Sequence, residues 1–471
     1  MTTAEAHFTN ERQRVEIDLQ KILEQDERFR LGMNGEILHV AWGLYTAEPL
    51  TAADGSTIPA DGLLEIVYCD ENGKAAFQTD VPVGTKLYVK EYATDSHYLI
   101  SDEKYPVVFD YQGQDTAVVH ISVNDGDPIE NKLIRGDVYG LKVSEDGEGV
   151  AGAVFGLFAP DETEFTKENA FMTDESDESG AFSFVGVPFG DWVVKELSCP
   201  PQFVLSGELF RVTVSEQAQR IEIEAVNEWI TGSVQTTKVD AEYPDNKLTG
   251  AVFEIYMDMD GNKKFDADID LLMGEMTEVE TGVYRMEDLR YNGFFLYEKV
   301  SPKGFLKDDT YHYFEIQEDG QTVIVENEAG VGFINQPITG ELELTKTDIT
   351  DGTPLPNVGF RIRNEQGEII AEDHTDEQGI AKFSLRYGKY TYQEFESLGY
   401  EIDDKEYPFE IRESGQIIKA IVTNKKIPVV PPPQTRDDHS LIIWIASAGI
   451  SGAALALMAV RRKIKNKRKS R

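Results

Sequence analysis

The segment INQPITGELELTKTD, residues 334–348, places Asn335 eleven positions before Lys346. Apolar and polar residues alternate in its second half, which predicts a β-strand that carries Leu342, Leu344 and Lys346 on one face. The same spacing recurs in three other pairs: Asn10 and Lys21, Asn131 and Lys142, and Asn227 and Lys238. A spacing that recurs along one chain indicates internal repeats.

Further sequence motifs recur once in each repeat. A strand of the type Gly-Ala-x-Phe occupies residues 151–159, 249–257 and 356–364, with a weaker version at 38–46. An acidic turn that ends in glycine occupies residues 69–77, 176–184, 278–286 and 375–383. A later strand ends on Glu91, Glu196, Glu298 or Glu394, and the last strand ends on Asn131, Asn227, Asn335 or Asn424. Short strands rich in Val, Ile, Tyr and Phe between Asp/Asn/Gly turns predict an all-β chain of tandem Ig-like β-sandwiches.

The repeats predict four β-sandwich domains, which cover residues 11–131, 132–227, 228–335 and 336–426. Residues 1–10 would end a truncated preceding module, because Asn10 has the closing position and the first residues lack the apolar stretch of an export signal. The first domain departs from the pattern through an insertion at residues 51–62. In the third domain Asn327 is an alternative to Asn335, and the eleven-residue spacing favours Asn335.

The C-terminal end predicts an anchored surface protein. Residues 427–439 form a proline-rich spacer, and residues 440–460 are 21 residues without a charge. As a helix they would be about 31 Å long, enough to span a bilayer. Residues 461–471 include eight basic residues, which by the positive-inside rule place this tail in the cytoplasm. We therefore expect the rest of the chain to be extracellular, anchored to the cell wall or the cell membrane.

The composition excludes several classes of protein. The 85 acidic residues against 45 basic ones give a net charge of −40, which argues against nucleic acid as a partner. Cys69 and Cys199 are the only cysteines, so a disulfide framework is excluded, and there is no CxxC or HExxH metal motif. Because a nucleotide-binding loop and a nucleophile elbow are also missing from the sequence, we expect neither an enzyme nor a bound organic cofactor.

The recurring lysine, glutamate and asparagine predict a specific chemistry. Strand parity places each of them in register with apolar neighbours, as Trp192 and Val194 illustrate for Glu196, so all would point into a core. Burial lowers the pKa of a lysine and raises that of a glutamate, so both tend to become neutral. A neutral amine can attack an asparagine amide, while a neutral carboxylic acid can donate a hydrogen bond to the amide carbonyl and polarise it. The product would be an isopeptide bond, formed with release of ammonia.

The motifs around these residues resemble those of the collagen-adhesin B-type and SpaA-like domains of Gram-positive surface proteins and pilins. They are a Lys-x-Asp opening, YGKYTYQE followed by GY in the middle, and VTN at the end, and the resemblance covers nearly all of residues 10–424. It implies a prealbumin-like fold and, in each domain, an autocatalytic Lys–Asn isopeptide bond promoted by the glutamate. The implied sets are Lys21, Glu91 and Asn131; Lys142, Glu196 and Asn227; Lys238, Glu298 and Asn335; and Lys346, Glu394 and Asn424.

The spacer also contains a sequence that resembles an LPxTG-type sorting signal. In PPQTRDD, residues 432–438, the signal's proline, variable and threonine positions are Pro433, Gln434 and Thr435, while Arg436 replaces the glycine. The resemblance implies a sortase and peptidoglycan as partners. Retention by the membrane helix alone is the alternative.

One acidic loop matches part of a calcium-binding template. Asp258, Asp260, Asn262 and Asp266 occupy ligand positions 1, 3, 5 and 9. Position 12 is Ile269 instead of a bidentate glutamate, and Lys263 replaces the usual glycine. Both a calcium site and a plain acidic hairpin loop are compatible with this pattern.

These features together predict the stalk of a cell-surface adhesin, which would project an N-terminal binding head from the cell wall. Two alternatives remain at this point: a pilin subunit of a sortase-assembled pilus, and the non-catalytic rear part of a surface enzyme.

Overall fold

The computed structural model describes residues 12–429. The predictions for residues 1–10, for most of the proline-rich spacer, for the sorting-like residues 433–436, for the membrane helix at 440–460 and for the tail at 461–471 lie outside the described residues. Within the described range, no helix is both long and apolar enough to cross a membrane.

The described chain is all-β, as predicted, with 33 strands and two short 3-10 helices. It divides into two compact units, one that ends at Gln336 and one that starts at Pro337. The strands of the first unit form three modules, called modules 1, 2 and 3, and the strands of the second unit form module 4. Each module contains two facing sheets with a hydrophobic core of its own.

Module 1 is the largest and least regular module. Its strands are β1 Arg14–Leu23, β2 Ala41–Thr46, β3 Leu50–Thr51, β4 Thr57–Ile58, β5 Leu63–Tyr68, β6 Lys74–Phe77, β7 Lys86–Ala93, β8 Lys104–Val108, β9 Val118–Ser122 and β10 Ile129–Asn131, with 3-10 helices at Glu36–His39 and Val123–Gly126. One sheet has the order β10-β1-β6 with β9 also paired to β1, and the other has the order β5-β2-β7-β8. The insertion at residues 51–62 contributes to the small hairpin of β3 and β4.

Module 2 has a simpler arrangement of seven strands. They are β11 Arg135–Ser144, β12 Val154–Phe158, β13 Met172–Glu175, β14 Ala181–Pro188, β15 Gly190–Ser198, β16 Leu209–Val214 and β17 Gln219–Asn227. Its sheets have the orders β14-β11-β17 and β13-β12-β15-β16.

Module 3 repeats this topology with additional short strands. Its strands are β18 Thr231–Asp240, β19 Val252–Met257, β20 Leu271–Glu275, β21 Thr277–Glu280, β22 Val283–Arg290, β23 Asn292–Val300, β24 Tyr311–Ile316, β25 Gln321–Ile324 and β26 Phe333–Asn335. The sheets have the orders β21-β22-β18-β25, with β26 also paired to β18, and β20-β19-β23-β24.

Module 4 has the same seven-strand topology as module 2. Its strands are β27 Thr339–Asp348, β28 Gly359–Asn364, β29 Ile369–His374, β30 Ile380–Arg386, β31 Gly388–Glu396, β32 Tyr407–Ile411 and β33 Gln416–Asn424. The sheets have the orders β30-β27-β33 and β29-β28-β31-β32. Strand β27 alternates strictly between half-buried and buried residues, and Leu342, Leu344 and Lys346 are all completely buried.

Aromatic packing and ion pairs join neighbouring modules within the first unit. Phe29 extends from module 1 into the core of module 2, where its ring lies 5.2 Å from that of Phe171 and 5.0 Å from that of Trp192. Arg135, at the start of module 2, forms ion pairs of 3.2 and 2.8 Å with Glu24 and Asp26 of module 1. The polypeptide therefore makes side-chain contacts across this joint as well as a covalent connection.

Candidate functional site

Parallel pairing of the first and last strands brings the predicted lysine and asparagine together in each module. The lysine pairs with the residue two positions before the asparagine: Lys21 with Ile129, Lys142 with Ala225, Lys238 with Phe333 and Lys346 with Val422. Because residues two apart share a face, the lysine and the asparagine project into the same core from adjacent strands. All eight side chains are at most 3% exposed.

The glutamates come from the opposite sheet. Each pairs with the buried aromatic residue of the small-aromatic strand: Glu91 with Trp42, Glu196 with Phe155, Glu298 with Phe253 and Glu394 with Phe360. In all four modules the register shifts just before that aromatic residue. Such β-bulges re-aim side chains, and here the glutamate and the aromatic ring both enter the core.

A backbone N–H group fixes the second oxygen of every glutamate. The donors to Glu91, Glu196, Glu298 and Glu394 are the backbone nitrogens of Ser101, Ser206, Asp308 and Asp403, at 2.8, 3.0, 2.8 and 3.3 Å. These donors were not predicted from the sequence. Their nearly constant position, nine or ten residues after the glutamate, is the signal that could have identified them.

The glycine of the acidic turn holds the lysine backbone. In every module the lysine N–H donates a 2.7 Å hydrogen bond to the carbonyl oxygen of this glycine. The four glycines are Gly73, Gly180, Gly282 and Gly379. Gly379 has a φ of 72°, and a Cβ at this position would lie only 2.5 Å from the carbonyl oxygen of Lys346. The turn therefore requires glycine both for its left-handed backbone and for its close approach.

In module 1 the three predicted side chains are in mutual contact. Lys21 Nζ donates a 2.6 Å hydrogen bond to Asn131 Oδ1 and lies 3.5 Å from Glu91 Oε1. Asn131 Nδ2 in turn donates a 2.6 Å hydrogen bond to the same glutamate oxygen. Lys21 Nζ also lies 5.3 Å from the centre of the Trp42 ring, so the amine faces an apolar wall.

Module 3 has the same arrangement. Lys238 Nζ donates to Asn335 Oδ1 and lies 3.2 Å from Glu298 Oε1. Asn335 Nδ2 donates to both oxygens of Glu298, at 2.8 and 3.0 Å. The alternative residue Asn327 caps a loop instead, where its Oδ1 accepts hydrogen bonds from backbone N–H groups of that loop. The structure thus places Asn335, and not Asn327, beside the lysine.

Module 4 has the same set of contacts between lysine, asparagine and glutamate. Lys346 Nζ donates to Asn424 Oδ1 and, at 3.0 Å, to Glu394 Oε2. Asn424 Nδ2 donates to Glu394 Oε1. The glutamate therefore contacts both the attacking nitrogen and the nitrogen that would leave.

Module 2 differs from the other three. Asn227 Nδ2 donates a 3.0 Å hydrogen bond to Glu196 Oε1, as expected. Lys142 Nζ, however, donates to the backbone carbonyls of Val143 and Ala225, at 3.1 and 3.2 Å. Among the described residues, no hydrogen-bond donor reaches Asn227 Oδ1, although the side chain is buried. No hydrogen bond therefore joins Lys142 Nζ to Asn227 Oδ1 here, because the amine donates to carbonyls of its own strand and of β17. The crosslink between these two residues stays a prediction.

Burial shifts the pKa values of the four lysines and of Glu196 in the predicted direction. It lowers the pKa of Lys21, Lys142 and Lys346, and it lowers the pKa of Lys238 to about 8. Nearby carboxylates raise the lysine pKa values but do not outweigh burial. Burial also raises the pKa of Glu196. A larger fraction of each amine is consequently neutral and nucleophilic near neutral pH than in an exposed lysine.

The orientation of the asparagine changes one part of the predicted chemistry. The sequence predicts a carboxylic acid that donates to the amide carbonyl. In the structure the carbonyl oxygen of Asn131 faces Lys21, and the amide nitrogen faces Glu91. The glutamate is thus placed to move a proton between the two nitrogens rather than to polarise the carbonyl directly.

The acidic loop of module 3 groups a different set of residues from the predicted one. Carboxylate oxygens of Asp258, Asp260 and Asp270 lie within 4.8 Å of one another. Asp266 does not belong to this group of carboxylates. Asn262 Oδ1 accepts a hydrogen bond from the backbone N–H of Lys264, and its Nδ2 donates to Asp260. Asp270 was missed because it lies beyond the twelve-residue template. Within this loop, the carboxylates of Asp258, Asp260 and Asp270 are therefore arranged so that they could share a cation.

Comparisons with known proteins agree with the fold. The family model described as SpaA: Prealbumin-like fold domain matches residues 136–229, 232–329 and 340–426, which together are more than half of the chain. No curated protein sequence matches. The predicted prealbumin-like β-sandwich fold is confirmed for these segments.

Several solved structures are similar to parts of this chain. The structure described as the Bacillus anthracis TIE protein is 27% identical, with 83% of this chain and 69% of that chain covered and a TM-score of 0.56. BcpA, the major pilin subunit of Bacillus cereus, is 16% identical, with 62% and 100% covered and a TM-score of 0.34. The major pilin SpaD from Corynebacterium diphtheriae is 14% identical, with 62% and 98% covered and a TM-score of 0.22.

Proposed function

The chain belongs to the SpaA prealbumin-like fold family, and from this premise we propose that it forms the stalk of a cell-surface adhesin whose modules are locked by Lys–Asn isopeptide bonds. The observation that carries the proposal is the buried contact between lysine, asparagine and glutamate in modules 1, 3 and 4. Three such polar groups would be expensive to bury for stability alone, which favours a chemical role.

The reaction needs only the three side chains. The neutral lysine Nζ attacks Cγ of the asparagine, so that the Nζ–Cγ bond forms and the Cγ–Nδ2 bond breaks. One proton moves from Nζ to Nδ2 through the glutamate carboxyl group, and Nδ2 leaves as ammonia. The glutamate returns to its initial state, and no oxidant or cofactor is consumed. The distances between the glutamate oxygens and both nitrogens, such as 3.2 and 2.8 Å at Glu298, suit this transfer.

The bond would join the first strand of a module to its last strand. It would enclose between 78 residues, in module 4, and 110 residues, in module 1. By analogy with a disulfide that closes a loop of this size, it would stabilise a module by about 4–5 kcal/mol. Tension along the chain would pass from the first strand through the crosslink, so the residues between lysine and asparagine would carry none of it.

The surface location is part of the same proposal. An extracellular stalk with the four domain boundaries given above would be held by the C-terminal segment, either through a sortase and peptidoglycan or through the membrane helix alone. Supporting this assignment are the family membership, the acidic composition and the sorting-like motif.

Intact mass spectrometry tests the crosslinks. The parent protein should be lighter than its calculated mass by one ammonia for each bond formed. Glu394→Ala should regain one ammonia, because module 4 would lose its proton carrier. Glu396→Ala is the matched control: this exposed residue lies two positions along the same strand, and its substitution should leave the mass deficit unchanged. A parent with the full calculated mass would refute the proposal.

A further inference from the structure

We propose that in modules 1 and 4 the hydroxyl residue three positions after the glutamate is a positioning residue for isopeptide formation, and that a cysteine at this position makes module 2 the slow module. This inference rests on the proposed function. The residues at this position in modules 1 to 4 are Thr94, Cys199, Ser301 and Ser397.

In modules 1 and 4 this residue holds the asparagine amide. Asn131 Nδ2 donates a 2.9 Å hydrogen bond to Thr94 Oγ1, and Asn424 Nδ2 donates a 3.1 Å hydrogen bond to Ser397 Oγ. In both modules the same nitrogen also donates to the glutamate. Both amide hydrogens are thus fixed, and the carbonyl oxygen is left to face the lysine.

This second anchor matters because an amide with one fixed hydrogen can still turn. Rotation about the bond between Cβ and Cγ would move the carbonyl away from Nζ and the reacting carbon out of line. Holding the reacting groups in the productive geometry is a large part of the rate of an intramolecular reaction. The hydroxyl therefore acts on the asparagine and does not take part in bond making.

Module 3 fixes its amide in another way. Asn335 Nδ2 donates to both oxygens of Glu298, at 2.8 and 3.0 Å. Ser301 Oγ donates instead to the carbonyl oxygen of Phe305, at 3.1 Å. We therefore expect module 3 to depend little on its serine.

In module 2 the asparagine has a thiol in place of a hydroxyl as its second partner, and its amide bonds to one oxygen of Glu196. Cys199 Sγ points to the carbonyl oxygen of Phe203, at 3.4 Å, and a thiol is in any case a weak acceptor. Asn227 Nδ2 donates a hydrogen bond to Glu196, and the asparagine side chain also interacts with the Cys199 thiol, which is the weaker partner. Its carbonyl oxygen has no donor among the described residues, and Lys142 Nζ is held by backbone carbonyls. The module with the cysteine is thus also the one in which no hydrogen bond joins the lysine to the asparagine.

The test measures how fast each module crosslinks in the full chain. The chain is synthesised in a cell-free system, samples are taken over time, and peptide mapping by mass spectrometry counts the branched Lys–Asn peptide of each module. In the parent, module 2 should lag behind modules 1 and 4. Cys199→Ser should accelerate module 2 about tenfold, the factor expected when a hydroxyl acceptor replaces the weak thiol acceptor in the reactive geometry.

Reciprocal variants in module 4 complete the test. Ser397→Cys and Ser397→Ala should slow module 4 about tenfold, while Ser397→Thr, which keeps the hydroxyl as in module 1, should retain the parent rate. Ser384→Ala, an exposed serine of the same module, is the control and should change nothing. Ser301→Ala should leave module 3 nearly unaffected.

The outcomes separate this inference from the proposed function. If no module of the parent contains a branched peptide, the proposed function fails. If modules 1, 3 and 4 crosslink but Cys199→Ser does not accelerate module 2, or Ser397→Cys does not slow module 4, only the positioning role is refuted. Because Cys199→Ser predicts a gain, a folding defect in the other variants cannot imitate the expected result.

Discussion

At the scale of single residues, the buried lysine is the most unusual feature of each module. Lys238 has no exposed surface, and its Nζ lies 4.2 Å from the centre of the Phe333 ring. Burial lowers its pKa to about 8, although the nearby Glu298 carboxylate raises the pKa in part. A residue that resists protonation in this way reduces stability as long as it stays a free amine, and the crosslink would remove that cost.

This argument predicts a pH dependence for a chain that cannot crosslink module 3. In Asn335→Ala, Lys238 stays a free amine with a pKa lower than the 10.5 of an ordinary lysine. Between about 8 and 10.5 the unfolded chain then binds more protons than the folded one, so the free energy of unfolding of module 3 should rise with pH, by up to ~1.4 kcal/mol per pH unit.

Hydrogen exchange of strand β18 measures this effect. The reference at every pH is the double variant Lys238→Met with Asn335→Ala, which has no titrating amine. As pH rises through this window, the hydrogen-exchange protection of β18 in Asn335→Ala should increase relative to that in the double variant. A constant difference between the two variants would contradict the lowered pKa.

At the scale of strands and turns, the sequence predicts the residues of the site well and their mutual geometry less well. Strand parity places Lys346, Glu394 and Asn424 in the core because alternation is a local property of one strand. The two-residue offset between Lys346 and Asn424 depends on the pairing of strands far apart in the chain, which no local pattern encodes. The same limit explains why the rotation of Lys142 toward backbone carbonyls and the grouping of Asp270 with Asp258 were not predicted.

The acidic turn gives a prediction at this scale. Gly379→Ala places a Cβ against the carbonyl oxygen of Lys346 and should displace strand β27, so module 4 should lose stability and crosslink incompletely. Gly367→Ala is the matched control, because Gly367 also has a positive φ, 81°, but nothing lies within 4 Å of its added Cβ. The control should cost about 1 kcal/mol of backbone strain and keep the bond.

Thermal unfolding and intact mass measure the two effects together. If Gly379→Ala crosslinks as completely as Gly367→Ala, the glycine has only a conformational role and does not position the lysine.

At the scale of the whole molecule, the parallel pairing of first and last strands determines how force would travel. Tension would enter at the start of the first strand and leave after the end of the last strand, so it would shear the pair β18 and β26 in module 3. Hydrogen bonds alone can separate under such a load. A covalent bond between Lys238 and Asn335 would keep the intervening part of the module folded.

Single-molecule stretching of the chain tests this behaviour. The parent should show no unfolding step for module 3. Glu298→Ala should add one step, with a length gain of roughly 300 Å for the 97 residues released between Lys238 and Asn335. Glu287→Ala, an exposed residue of the same module, should stretch like the parent. An equal step in the parent and in Glu298→Ala would contradict the mechanical role.

The most direct measurement of the central claim is an electron-density map of the crystallised protein at a resolution that separates bonded from non-bonded atoms. We predict continuous density between Lys346 Nζ and Asn424 Cγ, with the Nδ2 atom of Asn424 missing and Glu394 still beside the new bond. Separate density for an intact asparagine amide and a free lysine amine, in modules 1, 3 and 4 alike, would contradict the account.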